Sequence, residues 1–464
     1  MLHGFDAQSG KELFAYIPAT VVANGLTELT KPSYNHRYFV DGEITVADVY
    51  INKSWRTVLV GTLGAGGVGK NRSSTHNAIY ALDITDPNAV NLLWEKSSDD
   101  IKDANGVPAL GVSLGKPVII QNTSNQWRIV LGNGPNSGDT AEGKISSASL
   151  ISLDLFAGNA VVTQVPSELD NGLSAIRAWD SNGDGLTDTL YAGDLNGNLW
   201  KFDASTNAPN PKKLFSATDP SGAPQPITSL PLVGISPYDR STWVFFGTGL
   251  YLSTKDAVND QVQSWYGIKD NSTLGKTRTS LLERKIIKDV ALTTEGHIKV
   301  ARVIDSGTRA ELEDKEGWHL DFYNMQGEQP LATGERMITP NRFQGGALTG
   351  VTRNPNAHDP CAIDGAGMTM ALDPFTGARL PDNYFDVNED GEITATGEED
   401  MVEIGGRKFI VSGVGFDTGF SDTTVLGNKI YAQTDGGELI DINFKSYTST
   451  SSRSSWRELI NREN

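Results

Sequence analysis

Two nine-residue stretches set oxygen donors at alternate positions. In Asp180-Ser181-Asn182-Gly183-Asp184-Gly185-Leu186-Thr187-Asp188, carboxylates or an amide stand at the first, third, fifth and ninth positions and glycine at the sixth. Donors at alternate positions converge when the backbone curls around a point. The glycine permits the sharp turn that brings the seventh carbonyl, that of Leu186, inward. With waters, such a set fills the six- to eight-oxygen shell of Ca²⁺, whereas Mg²⁺ demands a tighter octahedron. The expected metal ligands are therefore Asp180, Asn182, Asp184, the Leu186 main chain and Asp188. The twelfth position is Tyr191 rather than the bidentate glutamate of a helix–loop–helix site, and Thr189-Leu190-Tyr191-Ala192-Gly193 reads as a strand. Closure of the site thus falls to Asp188. The competing reading is an acidic turn whose side chains only cap the backbone. The density of correctly spaced donors favours the cation, and without it mutual repulsion should loosen the loop.

The second stretch, Asp386-Val387-Asn388-Glu389-Asp390-Gly391-Glu392-Ile393-Thr394, shares the donor pattern of the first six positions. Asp386, Asn388, Asp390, Glu392 and Thr394 form a second candidate metal set. Thr394 stands where the first loop has Asp188, so Glu398, Glu399 or Asp400 would have to swing in from further along. The alternative is a solvated acidic hairpin.

Other chemistry-like patterns fail on context. Gly64-Ala65-Gly66-Gly67-Val68-Gly69-Lys70-Asn71 nearly spells a phosphate-binding loop, but Asn71 replaces the Mg²⁺-holding hydroxyl and a strand-like run follows. A glycine-rich turn is the better reading. Gly111-Val112-Ser113-Leu114-Gly115 matches a nucleophile elbow, yet Pro117-Val118-Ile119-Ile120 continues as a strand rather than a helix. The six histidines (3, 36, 76, 297, 319 and 358) show neither HxH nor HExxH spacing and read as surface or hydrogen-bonded core residues. No catalytic constellation emerges.

The elements that must position the loops are strands. Glycine (49) and proline (20) recur between short apolar runs rich in Val and Thr, and long windows of helical periodicity are nearly absent, which reads as all-β. A phrase of apolar strand, acidic residue, small turn and apolar strand recurs. It appears at Leu2–Lys11, Ile79–Asp86, Leu150–Leu155, Leu199–Asp203, Met370–Gly377 and Leu439–Ile442. This is the signature of a hairpin within a four-stranded propeller blade, at spacings of about 45 to 80 residues that allow loop insertions. The longer gap between Asp203 and Asp373 must hide a degenerate blade. Within it, residues 271–314 are richer in Lys, Arg, Glu and Leu and read as an insertion holding a short helix or a long strand pair. The Ser/Thr-rich run from Ser446 leads into a tail, 446–464. Residues 1–464 are expected to form one propeller.

The formal net charge of −18 argues against a nucleic-acid partner and suits sites for hard cations. No apolar stretch approaches the roughly 20 residues that span a bilayer. The lone Cys361 excludes an internal disulfide framework. The sequence opens in mid-pattern, as expected of a fragment from a longer secreted protein.

Over essentially its whole length the chain resembles the C-terminal domain of PilY/PilC-type type IV pilus proteins. The residues that carry the resemblance begin with Met1-Leu2-His3-Gly4-Phe5-Asp6-Ala7, His36-Arg37-Tyr38-Phe39-Val40-Asp41-Gly42 and Gly61-Thr62-Leu63-Gly64-Ala65-Gly66-Gly67. Gly132-Asn133-Gly134, Tyr191–Trp200, Phe246-Gly247-Thr248-Gly249 and Ser455-Trp456-Arg457-Glu458-Leu459 follow in order. The resemblance implies a modified seven-bladed β-propeller of the quinoprotein alcohol dehydrogenase-like kind, with loop insertions. It implies a non-enzymatic role in pilus biogenesis, surface adhesion and twitching motility, at the pilus tip or cell surface, outer-membrane associated or secreted. The implied partners are pilins or minor pilins, and host-cell or abiotic surfaces. The family's calcium loop, linked to the balance of pilus extension and retraction, falls on Asp180, Asn182, Asp184, Leu186 and Asp188. The rival from another class is a quinone-cofactor dehydrogenase, which shares the propeller and also uses Ca²⁺. The linear Asp180 loop and the absence of a vicinal cysteine pair count against it.

Overall fold

The computed structural model describes residues 1–67, 77–135, 138–139, 144–145, 147–293, 296–326, 329–355 and 366–445. The α-helix found among them, Ala19–Ala23, has a single turn, and no described helix is long and apolar enough to cross a membrane. Beside short 3-10 turns, the described elements are strands in mostly antiparallel sheets, stacked unit on unit along the chain.

The first blade consists of Ile44–Ile51, Ser54–Thr62, Ala78–Asp83 and Asn91–Ser97, hydrogen-bonded in chain order. The second uses Val118–Gln121, Trp127–Gly132, Ser147–Asp154 and Ala160–Leu169. Leu173–Trp179, Thr189–Asp194, Asn198–Asp203 and Lys212–Ser216 make the third. The fourth is built from Leu232–Ile235, Thr242–Gly247, Ser264–Asp270 and Gly317–Asp321. The fifth holds Arg342–Gln344, Ala347–Asn354, Ala366–Leu372 and Gly413–Phe416. A three-stranded sheet, Phe420–Leu426, Lys429–Thr434 and Leu439–Asn443, closes the series, and the hairpin Leu2–Phe5/Glu12–Tyr16 opens it. These seven units form the β-propeller.

Middle strands such as Ala78–Asp83 are buried along their whole length, because each blade packs a neighbour on both faces. The core accordingly divides into layers. Val58, Ile79 and Trp94 of the first blade meet Ile129 and Leu153 of the second. Val130 and Leu150 meet Leu173 and Trp200 of the third. Tyr191 and Phe215 meet Val244 and Tyr266 of the fourth, and Phe245 and Trp265 meet Leu348 and Met370 of the fifth. Val351 and Val414 then meet Phe420 and Ile430. Stability therefore comes from nearest-neighbour interfaces along the array.

The recurrent acidic residue of the sequence phrase caps the turn after the third strand of a blade. Asp83 Oδ1 accepts Thr85 N at 3.1 Å, Asp154 Oδ1 accepts Ala157 N at 2.7 Å, Asp203 Oδ1 accepts Ser205 N at 2.9 Å and Asp373 Oδ1 accepts Phe375 N at 2.9 Å. These are Asx turns, in which the side chain stands in for a backbone partner. The Gly132-Asn133-Gly134 phrase is the seam between second and third blades. Fully buried Asn133 donates to Ser147 O at 2.9 Å and accepts the N–H of Ser149 at 2.9 Å and of Leu173 at 2.8 Å. A Cβ on Gly132 would lie 2.2 Å from the Leu173 carbonyl, so only glycine fits the approach.

The hidden blade is the fourth. Its third strand ends at Asp270, and the chain then makes a long excursion before the fourth strand begins at Gly317. Lys276–Thr277 pairs with the last strand of the third blade, and Leu282–Arg284 runs parallel to Gly317–Asp321. The hairpin Ile286–Ala291/Val300–Ile304 extends the fifth blade through Val300↔Gly415. One connection thus adds strands to three consecutive blades. Of the two forms expected here, the strand pair is realised, joined by one-turn 3-10 segments at Arg278–Ser280 and Arg309–Leu312. Gly64–Gly67 forms a 3-10 turn after a blade's second strand, while Val68–Asn71, Cys361 and the 446–464 tail lie outside the described residues.

Candidate metal centres

The Asp180–Asp188 loop joins the first and second strands of the third blade. Its feet are fixed from both sides. Asp188 N donates to Trp179 O at 3.0 Å, Ala204 N donates to Asp188 O at 2.9 Å, and Thr187 N reaches the second blade at Gln121 O, 2.8 Å away. Between the feet, Ser181–Gly185 are exposed and Asp180, Leu186 and Asp188 half-buried.

The loop organises its own donors. Asp180 accepts Gly183 N on Oδ1 and Gly185 N on Oδ2, each at 2.7 Å. Asn182 Oδ1 accepts Asp184 N and Asp184 Oδ1 accepts Leu186 N, both at 2.8 Å. Asp188 Oδ2 accepts the N–H and hydroxyl of Ser181 at 2.8 and 2.6 Å. Gly183 and Gly185 hold φ of 79° and 88°, the left-handed conformation that folds the loop back on itself. A carboxylate has about four acceptor sites, so these contacts aim the oxygens without exhausting them. The donor set is all oxygen, which fits Ca²⁺.

The Asp386–Thr394 loop has the same internal wiring. Gly391 N donates to Asp386 Oδ2 at 2.8 Å, Asp390 N to Asn388 Oδ1 at 3.1 Å and Glu392 N to Asp390 Oδ1 at 2.8 Å. The left-handed positions recur at the fourth and sixth places, with φ of 58° at Glu389 and 90° at Gly391. The loop lies in the connection between the third and fourth strands of the fifth blade. Its root is buried: Asp386 is 1% exposed and accepts Asn443 Nδ2 at 2.8 Å.

The ninth position separates the loops. The exposed Thr394 turns its hydroxyl onto Glu399, and that hydrogen bond holds the Glu399 carboxyl below the usual range. Asp400 is the acid that turns inward. It is 1% exposed, its Oδ1 accepts Val387 N at 2.9 Å, and its Oδ2 has no hydrogen-bond partner. Burial pushes its carboxyl up to about 6; the Val387 N–H opposes this, and the negative charges of Asp386 and Asp390 add to it. A buried carboxylate with an orphaned oxygen beside a second buried carboxylate is the environment a dication would neutralise. Sequence spacing named Asp400 only as one of three acids, since burial of a side chain is not encoded in local spacing.

A family model described as the PilY1 beta-propeller domain matches residues 1–289. A type IV pilus biogenesis factor PilY1 homolog of Xylella fastidiosa is 40% identical over 463 residues, covering 99% of this chain and 34% of the relative. The type IV pilus biogenesis factor PilY1 of Pseudomonas aeruginosa is 33% identical over 438 residues, covering 85% of this chain and 35% of the relative. The chain therefore spans about a third of the length of these relatives. The crystal structure of the Pseudomonas aeruginosa PilY1 C-terminal domain superposes with a TM-score of 0.70 at 28% identity, over 96% of this chain and 90% of that one. With blades, seams and sequence in agreement, the chain belongs to the PilY1 β-propeller family.

Proposed function

We propose that this propeller serves type IV pilus biogenesis as a non-enzymatic, calcium-binding module at the cell surface or pilus tip. Its partners in that role are pilins or minor pilins, and it supports twitching motility and adhesion to host-cell or abiotic surfaces. The reading is supported by relatives named as pilus biogenesis factors rather than enzymes. The observation that carries the calcium part is the Asp180–Asp188 loop, whose side-chain oxygens are set by its own N–H groups and whose feet are locked to two blades. Asp180, Asn182, Asp184, the Leu186 carbonyl and Asp188 would hold Ca²⁺. In the second loop Asp386, Asn388, Asp390 and the Glu392 carbonyl would do so, with Asp400 rather than Thr394 closing the shell. Bound calcium would supply the positive charge that lets these carboxylates share one point. The protein's own part is to fix the loop feet, so that ordering the loop stiffens the surface between the second and third blades. Control of extension against retraction would follow from a pilin-facing surface whose order depends on calcium.

Calorimetric titration of the chelator-stripped chain, beside Asp188→Ala and Asp400→Asn, tests the metal assignment. Two binding events are expected, one lost in each variant. A chain that takes up no calcium at millimolar concentration defeats the proposal. For the pilus role, cells carrying Asp188→Ala should show altered twitching at unchanged protein level, and unaltered twitching would separate calcium from motility.

A further inference from the structure

Outside the two acidic loops, the structure brings together a group of donors that no spacing in the sequence announces. Where Leu282–Arg284 of the inserted connection runs parallel to Gly317–Asp321, Glu283 lies opposite His319. Asp321 follows two residues later on the same face of its strand. Donor atoms of Glu283, His319 and Asp321 all lie within 4.8 Å of one another, the one such trio of histidine and acidic side chains among the described residues. His319 is 3% exposed, and neither ring nitrogen has a hydrogen-bond partner. An imidazole sealed into a blade normally spends at least one nitrogen on a partner. This one is core, as its apolar context suggests, but it is not hydrogen-bonded as expected of a core histidine.

We infer that the seam between the inserted connection and the fourth blade binds a transition-metal dication of the Zn²⁺ class through His319, Glu283 and Asp321. The ligand set of one imidazole and two carboxylates suits such ions, whereas Ca²⁺ and Mg²⁺ select oxygen alone. Tetrahedral zinc with bonds of about 2.1 Å needs donors about 3.4 Å apart, inside the 4.8 Å within which these donors lie. The exposed Glu283 can adjust the position of its own carboxylate by a rotamer change. Asp321 already accepts Ser264 Oγ at 2.6 Å and Arg278 Nη1 at 2.7 Å on Oδ1, and Arg278 Nη2 on Oδ2. Its Oδ2 retains an acceptor site, and Arg278 with Ser264 fixes the carboxylate as outer partners fix a metal ligand. Two carboxylates against one guanidinium leave the pocket one negative charge before a metal enters. Lys285 stands 4.0 Å from Glu283 but is largely exposed and screened by solvent. Burial, with Arg278 adding, holds His319 down to about 4, so the ring is neutral and free to ligate at physiological pH. Such a metal would pin the inserted connection at the point where it joins its own blade.

The test uses the full chain stripped with a chelator and titrated with Zn²⁺ by calorimetry, and with Co²⁺ by visible absorbance, both in saturating Ca²⁺. One equivalent is expected to bind, with d–d bands in the Co²⁺ form. Glu283→Gln, a surface change that leaves the fold intact by circular dichroism, should weaken binding about tenfold or more. His319→Gln should abolish the bands, and Asp188→Ala should leave them unchanged. Should His319→Gln fail to fold, Glu283→Gln alone decides the matter. Absence of Co²⁺ bands, bands undiminished in Glu283→Gln, or displacement of the metal by Ca²⁺ would overturn the assignment.

Discussion

Replacing Asp400 by asparagine should change stability and calcium binding in opposite directions. In the metal-free fold the Asp400 carboxyl titrates near 6 against 3.8 in an exposed chain. A carboxyl raised in this way imposes nothing below 3.8, where both states hold its proton. Its cost grows as pH climbs from 3.8 to 6 and is complete above 6, where the native state must carry a buried charge. At about 1.36 kcal/mol per tenfold change, the difference amounts to about 3 kcal/mol of native stability lost at pH 7.5. Asparagine carries no charge and keeps an oxygen for the Val387 N–H. Urea unfolding in chelator at pH 5 and pH 7.5 should therefore show Asp400→Asn gaining on the wild type by about 1–1.5 kcal/mol as pH rises through this interval, the rest of the cost being already present at pH 5. In Ca²⁺ at pH 7.5 the order should invert, because the wild type recovers the cost through binding and the variant cannot. A variant that is less stable than wild type in chelator at pH 7.5, or a difference independent of pH, would refute the reasoning.

Three further outcomes follow from the packing. Gly185→Ala places a Cβ at a φ of 88° and should cost the first loop about 1–2 kcal/mol, read as weaker Ca²⁺ binding by calorimetry with an unchanged denaturation midpoint in chelator. Arg302, 2% exposed, holds Asp289 at 2.8 Å and Glu335 at 2.7 Å. Arg302→Leu strands both acids in the interior and should destabilise by about 3–5 kcal/mol in urea unfolding, with a replacement of all three by apolar residues recovering much of the loss. Asn133→Ala leaves the buried N–H groups of Ser149 and Leu173 without their acceptor and should cost about 1–3 kcal/mol, with faster amide exchange at those two residues.

The parts of the fold legible from sequence are those whose physics is local. An acidic residue after an apolar strand caps the next turn wherever it falls, so Asp83, Asp154, Asp203 and Asp373 mark their blades. The fourth blade escapes this rule because Asp270 opens a long excursion and spends its carboxylate on Tyr191 and on Lys201 at 2.6 Å. The first loop is legible for the same local reason, since its hydrogen bonds run between residues two to seven apart. In the second loop the ninth-position Thr394 is exposed and bonded to Glu399, whereas Asp400, further along, is the buried acid, an arrangement that sequence spacing does not encode. His319 and Glu283 are distant in sequence and meet only through a parallel pairing that no periodicity encodes.

The inserted connection is the feature that links these parts into one mechanical unit. Residues 271–316 leave the fourth blade, pair with the third, return along the fourth and then extend the fifth. The far end of its hairpin is held by the second loop, where Glu389 accepts His297 N at 3.1 Å and Ile298 N at 3.4 Å. Glu389 occupies the left-handed fourth position that glycine fills in the first loop. A side chain at such a position bears a conformational cost of about 1–2 kcal/mol, offset here by its two backbone contacts. Ordering the second loop therefore orders the hairpin tip, and loosening it frees one end of a strand system that spans three blades. Separating those blades requires breaking backbone ladders in three sheets together. The Glu389 contacts and the Asp386–Asn443 hydrogen bond are the points through which a cation-dependent change in the loop would reach the rest of the propeller.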